Sequence, residues 1–383
     1  MNDNSLQPIA TSPTVAISVL TVLALLGFLG VSRFANRFHE QEKALARHLY
    51  QQGLTEQQQG KPNLAIDHFR AALGYDRDNF QYQLSLARAL RDSGRTEEAK
   101  TYLISLWERS PQSGPVNLAL GRLAARTGSL DHVIQYYHNA VYGVWSSDAE
   151  QNRLNAWFEL IETLLRQNAR PQAQAELISL SANLPFQSEF QLRAADLFAS
   201  AQDYDHALAG YHRVLQRERT NPAALAGAGE ASFRLARYRT AAHYLEAATK
   251  ADAQGPQIAQ MLATSRVILQ DDPFSRGISL EERNRRIRTV FDALGERLET
   301  CSSSQESGSS QAHSEADSLS SLKARWTQMK MELARLGHRG QSGLPDELMD
   351  LALQIEQQTA ACPSTARDQA LLLLAQNRAG VEQ

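Results

Sequence analysis

A chain of 383 residues has the length of two or three ordinary domains, or of one elongated array. Hydrophobic residues make up 43% and charged residues 21%, which supplies enough apolar material for packed cores and speaks against wholesale disorder. A formal net charge of -3 argues against a nucleic-acid binder, whose surface needs a basic surplus to neutralise phosphates.

Residues 1–13 read as an N-terminal tail. From Thr14 to Ser32 the sequence TVAISVLTVLALLGFLGVS carries no charge, and as a helix it would span roughly 28 Å, the thickness of a bilayer core. The run therefore predicts a single transmembrane anchor. No Lys or Arg precedes it and no small-x-small cleavage site follows it before Arg33, so a cleaved signal peptide fits less well. A juxtamembrane helix is expected over 33–45. Arg33, Arg37, Lys43 and Arg47 follow the span while no basic residue precedes it, which by the positive-inside rule places the soluble body in the cytoplasm. A pairing of the only two cysteines, Cys301 and Cys362, would favour the opposite, periplasmic side.

The middle of the chain repeats itself. Gly60, Gly94 and Gly128 stand 34 residues apart, and the same step links Ala65 to Ala99 to Val133 and Phe69 to Leu103 to Tyr137. After an insertion around Trp145 to Arg153 the step resumes from Ala173 to Ala207 to Ala241 and from Leu177 to Tyr211 to Leu245. Each unit reads as two amphipathic helices around a short turn, such as Thr127-Gly128-Ser129. Gly53, Ala87, Gly121, Ala195 and Gly229 fall in first helices, where the second helix must approach closely. Pro111, Pro185 and Pro222 fall near the ends of second helices, where a proline stops the helix.

The period and the segments SLARALRDSGRTEEAKTYLISLWERSP, ALGRLAARTGSLDHVIQYYHNAV, ADLFASAQDYDHALAGYHRVL and GEASFRLARYRTAAHYLEAA resemble the tetratricopeptide-repeat family. The resemblance covers 46–255 and implies about six repeats, with 256–270 as a capping helix, so that the solenoid occupies 46–270. The chain departs from the family pattern at Glu56, at Val133 and in the linker VYGVWSSDAEQNR. The family implies protein or peptide binding, with the first helix of each pair lining a concave surface. It places Tyr50, Leu54, Gln57, Arg88, Arg91, Leu118, Arg122, Arg126, Phe158, Arg166, Asp196, Glu230 and Phe233 on that surface. Arg88, Arg91, Arg122, Arg126 and Arg166 would then form a basic track for carboxylates or phosphates, so the expected partner carries an acidic segment or a chain terminus. The bland reading of the same arginines is a solvated helix face.

Residues 271–383 predict a small helical domain of no recognisable family. Ser279 and Glu282 make a capping box ahead of the stripe Ile287, Val290, Phe291, Leu294 and Leu298. Arg283, Arg285, Arg286 and Arg288 lie to the other side, either solvated or facing anionic lipid. The Ser-rich stretch 301–321 has few apolar residues and predicts a mobile loop. A helix with Leu319, Leu322, Trp326, Met329, Leu333 and Leu336 follows, stopped at Gly337, and two more are expected from Asp346 and from Thr365. The sequence leaves open whether Cys301 and Cys362 pair; a bridge would close a loop of about 60 residues and contribute roughly 4 kcal/mol.

No histidine or cysteine spacing matches a metal site, and no nucleophile or phosphate-loop motif occurs in its required context. The sequence therefore predicts an all-α, non-enzymatic protein without cofactor: an N-terminal transmembrane helix, a tetratricopeptide-repeat α-solenoid and a small helical C-terminal domain. Its expected role is a membrane-anchored adaptor. The alternatives are a regulator resembling the anchored tetratricopeptide proteins of bacterial envelope assembly that control lipopolysaccharide production and, less favoured, a hydrolase within 272–383.

Overall fold

The computed structural model describes residues 13–253, 255–305, 313–336 and 344–381. Among them the chain forms seventeen α-helices, and the one extended pairing is a parallel bridge between Ser113 and Val144. The chain falls into two compact units, Met1–Leu164 and Leu165–Gln383.

The first unit opens with α1 (Pro13–Gln58), a helix of 46 residues. No proline interrupts the sequence between Pro13 and Pro62, so the apolar N-terminal run, the segment 33–45 and the first repeat helix continue as one rod. By length and composition α1 is able to cross a membrane, and Leu20, Leu23, Leu26 and Phe28 stand exposed along it. Packing begins at Ala46, which is fully buried. The pairs are then α1 with α2 (Pro62–Tyr75), α3 (Phe80–Asp92) with α4 (Thr96–Arg109), and α5 (Gly114–Thr127) with α6 (Leu130–Val141); α7 (Ala149–Arg166) follows.

Close approach within a pair has a concrete cause. A Cβ placed on Gly53 would sit 2.6 Å from the Phe69 ring, and one on Gly121 would sit 2.7 Å from Tyr137. The missing side chain admits the large ring of the second helix, and the two form the seam. Phe69, Leu84, Leu90, Leu103 and Leu106 fill the core between pairs with almost no exposure. The register-breaking linker is ordered: Trp145 lies over Gly114 and donates from Nε1 to the Ala140 carbonyl at 2.9 Å. Gly114 N donates to Val144 O at 2.9 Å and Val144 N to Gln112 O at 2.7 Å, which ties the insertion to the start of α5.

The second unit contains α8 (Arg170–Ser181), the pairs α9 (Ser188–Ser200) with α10 (Tyr204–Arg217) and α11 (Pro222–Arg234) with α12 (Tyr238–Lys250), and then α13 (Pro256–Asp271). The seam recurs, with a Cβ on Gly229 falling 2.7 Å from Leu245. Between first and second helices, residues 60, 94, 128, 168, 202 and 236 all have positive φ. The residue after each turn often closes it in the same way: Lys61 N donates to Glu56 O at 2.9 Å, Arg95 N to Leu90 O at 2.8 Å, Asp203 N to Phe198 O at 2.9 Å and Arg237 N to Ser232 O at 2.8 Å.

Four helices complete this unit: α14 (Leu280–Gln305), α15 (His313–Leu336), α16 (Leu344–Gln358) and α17 (Ala366–Val381). They do not divide from the array at 270/271. Tyr238 and Ile268 share one core with Ile287, Phe291, Leu348 and Leu371, because α13 offers α17 an apolar face. Ser279 accepts from Glu282 N at 3.1 Å as an N-cap, but the Glu282 carboxylate turns to Arg285 and Arg286, so only half of the capping box forms. Arg286 is not part of a free basic face: it donates to the Leu269 and Asp272 carbonyls at the end of α13, at 3.0 and 2.9 Å. The mobile loop expected over 301–321 also needs correction. Residues 301–305 end α14 and 313–321 begin α15, while 306–312 lie outside the described residues, as does Gly337. Cys301, in the last turns of α14, is fully buried and bonded to Cys362, with Cα atoms 5.6 Å apart, so packing at this point offsets the ordering entropy that composition alone left unopposed.

Candidate partner-binding surface

In the first unit the predicted residues sit on α1, α3, α5 and α7. Tyr50 packs between Phe69 and Tyr82, with ring centroids 5.6 and 4.6 Å away, and its hydroxyl shares a 3.1 Å hydrogen bond with Ser85. Leu54 packs half-buried against the same core. Gln57 donates to Asp92 Oδ2 at 3.3 Å. Arg91 donates to Asp92 Oδ1 from Nε and Nη2, at 2.9 and 2.7 Å. Arg122 forks onto Glu159 with two 2.7 Å bonds, and Arg126 donates to the Arg91 carbonyl at 2.7 Å.

Glu159 is the residue that sequence reasoning missed. Besides the Arg122 fork it accepts from Tyr137 at 2.8 Å; burial pushes its carboxyl up, but the two bonds from Arg122 prevail and hold it below the usual carboxylate range. The same bond keeps Arg122 firmly charged, while burial and then Glu159 push the Tyr137 phenol up. The signal for Glu159 was hidden by the insertion before α7, which shifts the 34-residue register.

Arg88 stands apart. It is half-buried, it has no ion-pair partner among the described residues, and its Nε is buried without a hydrogen bond; Nη1 of Arg91 is in the same condition. Burial, then Arg122 and Arg91, push its guanidinium down from the usual value.

Two predicted groove residues of this unit belong to the core. Phe158 is 0% exposed and Leu118 is 8% exposed, so neither presents a side chain to a partner. Their apolar character serves the seams between first helices, the competing use of a large side chain at that position.

In the second unit Arg166 ends α7, Asp196 lies on α9, and Glu230 and Phe233 lie on α11. The arginines thus do not form one described track: Arg88, Arg91, Arg122 and Arg126 belong to the first unit and Arg166 to the second. Asp196 accepts from Tyr211 at 2.7 Å, and burial pushes its carboxyl up. Glu230 pairs with Arg234 at 3.6 Å. Phe233 meets Tyr238 edge-on at 5.6 Å and packs, partly buried, against the core that leads into the C-terminal helices.

A cavity of about 460 Å³ lies in the first unit between Phe80, Pro111, Pro115 and Val144; it includes none of the predicted residues. No group of residues able to hold a metal ion occurs among the described residues.

Residues 56–123 match the family model described as tetratricopeptide repeat. Together with the repeated step and the glycine-closed helix pairs, this match shows tetratricopeptide repeats within the chain. No curated protein matches the sequence. Solved structures overlap with it loosely. The protein described as pilF of Pseudomonas aeruginosa is 18% identical, with a TM-score of 0.40 over 58% of this chain and 99% of its own. A repeat protein of Cytophaga hutchinsonii is 11% identical, with a TM-score of 0.44 over 62% and 93%. YrrB, described as having an unusual peptide-binding site, is 14% identical, with a TM-score of 0.37 over 50% and 95%.

Proposed function

We propose that this protein is a membrane-anchored adaptor that holds a protein partner, through an acidic segment or a chain terminus, against the first-helix surface of its N-terminal unit. The observation that carries the reading is the row of polar side chains on α1, α3 and α5 that the core does not absorb: Gln57, Arg88, Arg91, Arg122 and Arg126. An anchor on the same helix that starts the array confines this surface to the bilayer, which raises the local concentration of anything it holds. The same anchor and repeats support a narrower variant, regulation of bacterial envelope assembly.

The test is photo-crosslinking in cells from Leu54 of the full-length anchored protein, with and without Arg88→Glu and Arg126→Glu. Arg122 is left intact because its charge serves Glu159. Loss of the crosslinked partner in the charge-reversed protein is expected; unchanged capture removes the acidic-segment reading.

Sidedness follows from two opposed signals. Arg33, Arg37, Lys43 and Arg47 after the span support a cytoplasmic body. The Cys301–Cys362 disulfide favours a second reading, an oxidising, periplasmic side. Alkylation of the denatured protein taken directly from cells decides: modification of both cysteines without reductant means cytoplasm, and modification only after reduction means the other face.

A further inference from the structure

Between the end of the apolar run at Ser32 and the first buried residue, Ala46, α1 runs ahead of the array, and Phe38 and Leu45 stand 55% and 42% exposed. The large apolar residues of this stretch are Phe34, Phe38 and Leu45. Together with Val31 and Gln41 they fall at alternating steps of three and four, the a and d positions of a heptad. The outward positions of the same heptads hold Ser32, Arg33, Asn36, His39, Glu40 and Lys43, all polar. Within the span nearly every residue is apolar and no register can be read there, but the same steps reach back through Gly27 and Ala24, whose small size lets two helices approach. An apolar stripe on an exposed helix calls for cover. Lipid does not supply it: Leu45 lies about 20 Å along the helix beyond Ser32, past a headgroup layer roughly 5–8 Å deep.

We propose that this stripe is covered by a second copy of the chain, the two α1 helices forming a parallel coiled coil from Val31 to Leu45 just outside the bilayer. Charge selects this occupant. With Val31, Phe38 and Leu45 at a, Arg37 is a g residue and Glu42 the e residue five positions on, and in a parallel dimer these two meet across the two-fold axis, twice by symmetry. The ion pairs already on this stretch, His39 with Glu42 at 3.8 Å and Lys43 with Glu40 at 3.6 Å, leave Arg37 exposed and without a carboxylate among the described residues. Gln41, the polar member of the stripe, then faces its own counterpart, where two carboxamides can bond to each other and hold the register. The parallel orientation rests on the anchor reading, since two copies inserted the same way in one bilayer present this stretch of α1 at the same height. Pairing needs nothing on the repeat surface, but it puts two arrays on one stalk and makes their hold on a dimeric partner bivalent.

The experiment uses the full chain in cells, with a photo-crosslinking amino acid at position 38 or 45 on the stripe, or at position 36 or 43 on the outer face. A product of twice the chain mass, containing this sequence alone, is expected from 38 and 45, and at least about fivefold less of it from 36 and 43. Dissociation is then read by energy transfer between two labelled populations of the full chain in proteoliposomes. Arg37→Glu and Glu42→Arg each turn two attractions into two repulsions and are expected to weaken pairing about 3- to 30-fold, and the double variant is expected to recover to within about threefold of wild type. These positions lie outside the packed array, so the fold does not depend on them. No double-mass product, equal product from both faces, a different protein captured in place of the copy, or a double variant no tighter than the single ones would each overturn the pairing. Alkaline carbonate extraction keeps the two readings apart: release from the membrane discards the anchor, whereas retention without a face-specific product discards the pairing alone.

Discussion

The repeat pairs and the C-terminal helices are both packed α-helices with apolar cores, yet they differ in what ties them together. In the repeats a glycine on one helix receives a large side chain from the next, and the partners are always close in sequence: Gly53 with Phe69, Gly121 with Tyr137 and Gly229 with Leu245. In the C-terminal helices Gly295 receives the Trp326 ring in the same way, over an apolar core, but polar ties between distant segments are added. Arg297 on α14 donates to Thr359 Oγ1 at 3.0 Å and to the Thr359 carbonyl at 2.6 Å, bonds the Pro363 carbonyl, and lies 3.6 Å from both Glu356 and Asp368. One turn further on, Cys301 is bonded to Cys362 in the same connecting turn. The difference teaches that a periodic sequence can rely on apolar seams renewed at every step, whereas a short non-repeating bundle needs a few specific long-range ties to fix its packing.

The largest expected effect comes from cutting such a tie. Arg297→Ala leaves Glu356 and Asp368 buried together without their cation, and chemical denaturation should show the C-terminal helices destabilised by about 3–5 kcal/mol. A loss near zero would mean that the disulfide alone holds the turn, and the contrast with the repeats would narrow.

A somewhat smaller effect is expected from pH. Burial, then the neighbouring Asp368, push the Glu356 carboxyl up to about 7 against an ordinary 4.5, with Arg297 opposing. A carboxyl that holds its proton more tightly when folded than when unfolded favours the fold at low pH; its contribution falls as pH rises from about 4.5 through about 7 and is flat above. Across that window wild type should lose about 3 kcal/mol more stability than Glu356→Gln. Identical slopes in the two proteins would remove Glu356 as a titrating group.

The smallest effect lies in the repeat turns. The left-handed position is glycine at 60, 94 and 128, with φ of 72°, 84° and 77°, but Asn168, Gln202 and Ala236 hold the same position in later repeats at 57°, 63° and 54°. A residue with a Cβ is strained there by roughly 1–2 kcal/mol, so Ala236→Gly should stabilise the second unit by about 1 kcal/mol and Gly94→Ala should cost the first about as much. Thermal unfolding followed by circular dichroism reads both. Equal and opposite shifts would show that the turns are interchangeable parts of one repeat.

The array was legible in the sequence because its contacts are local and recur. Gly60, Gly94 and Gly128 mark the turns, and Gly53, Gly121 and Gly229 mark the close approach on first helices, but the sequence does not show that Phe69, Tyr137 and Leu245 are what fills it. The surface was only partly legible. The arginines were found, but Leu118 and Phe158 were assigned to the groove although they face the core, since helical periodicity alone does not say which of two adjacent stripes a neighbouring repeat will cover. Glu159 was missed because the insertion after α6 moves it out of register.

By itself, then, the sequence determined the helical class, the period, the turn positions and an apolar N-terminal helix long enough for a bilayer, all properties carried by short-range pattern. Only the tertiary structure decided which arginine goes without a counter-charge, that Phe233 packs against the C-terminal core, and that Arg297 and the Cys301–Cys362 bond hold one turn from the same helix. The physical reason is that the fate of a charge or a thiol depends on groups brought to it from distant segments, and those distances exist only once the chain has folded.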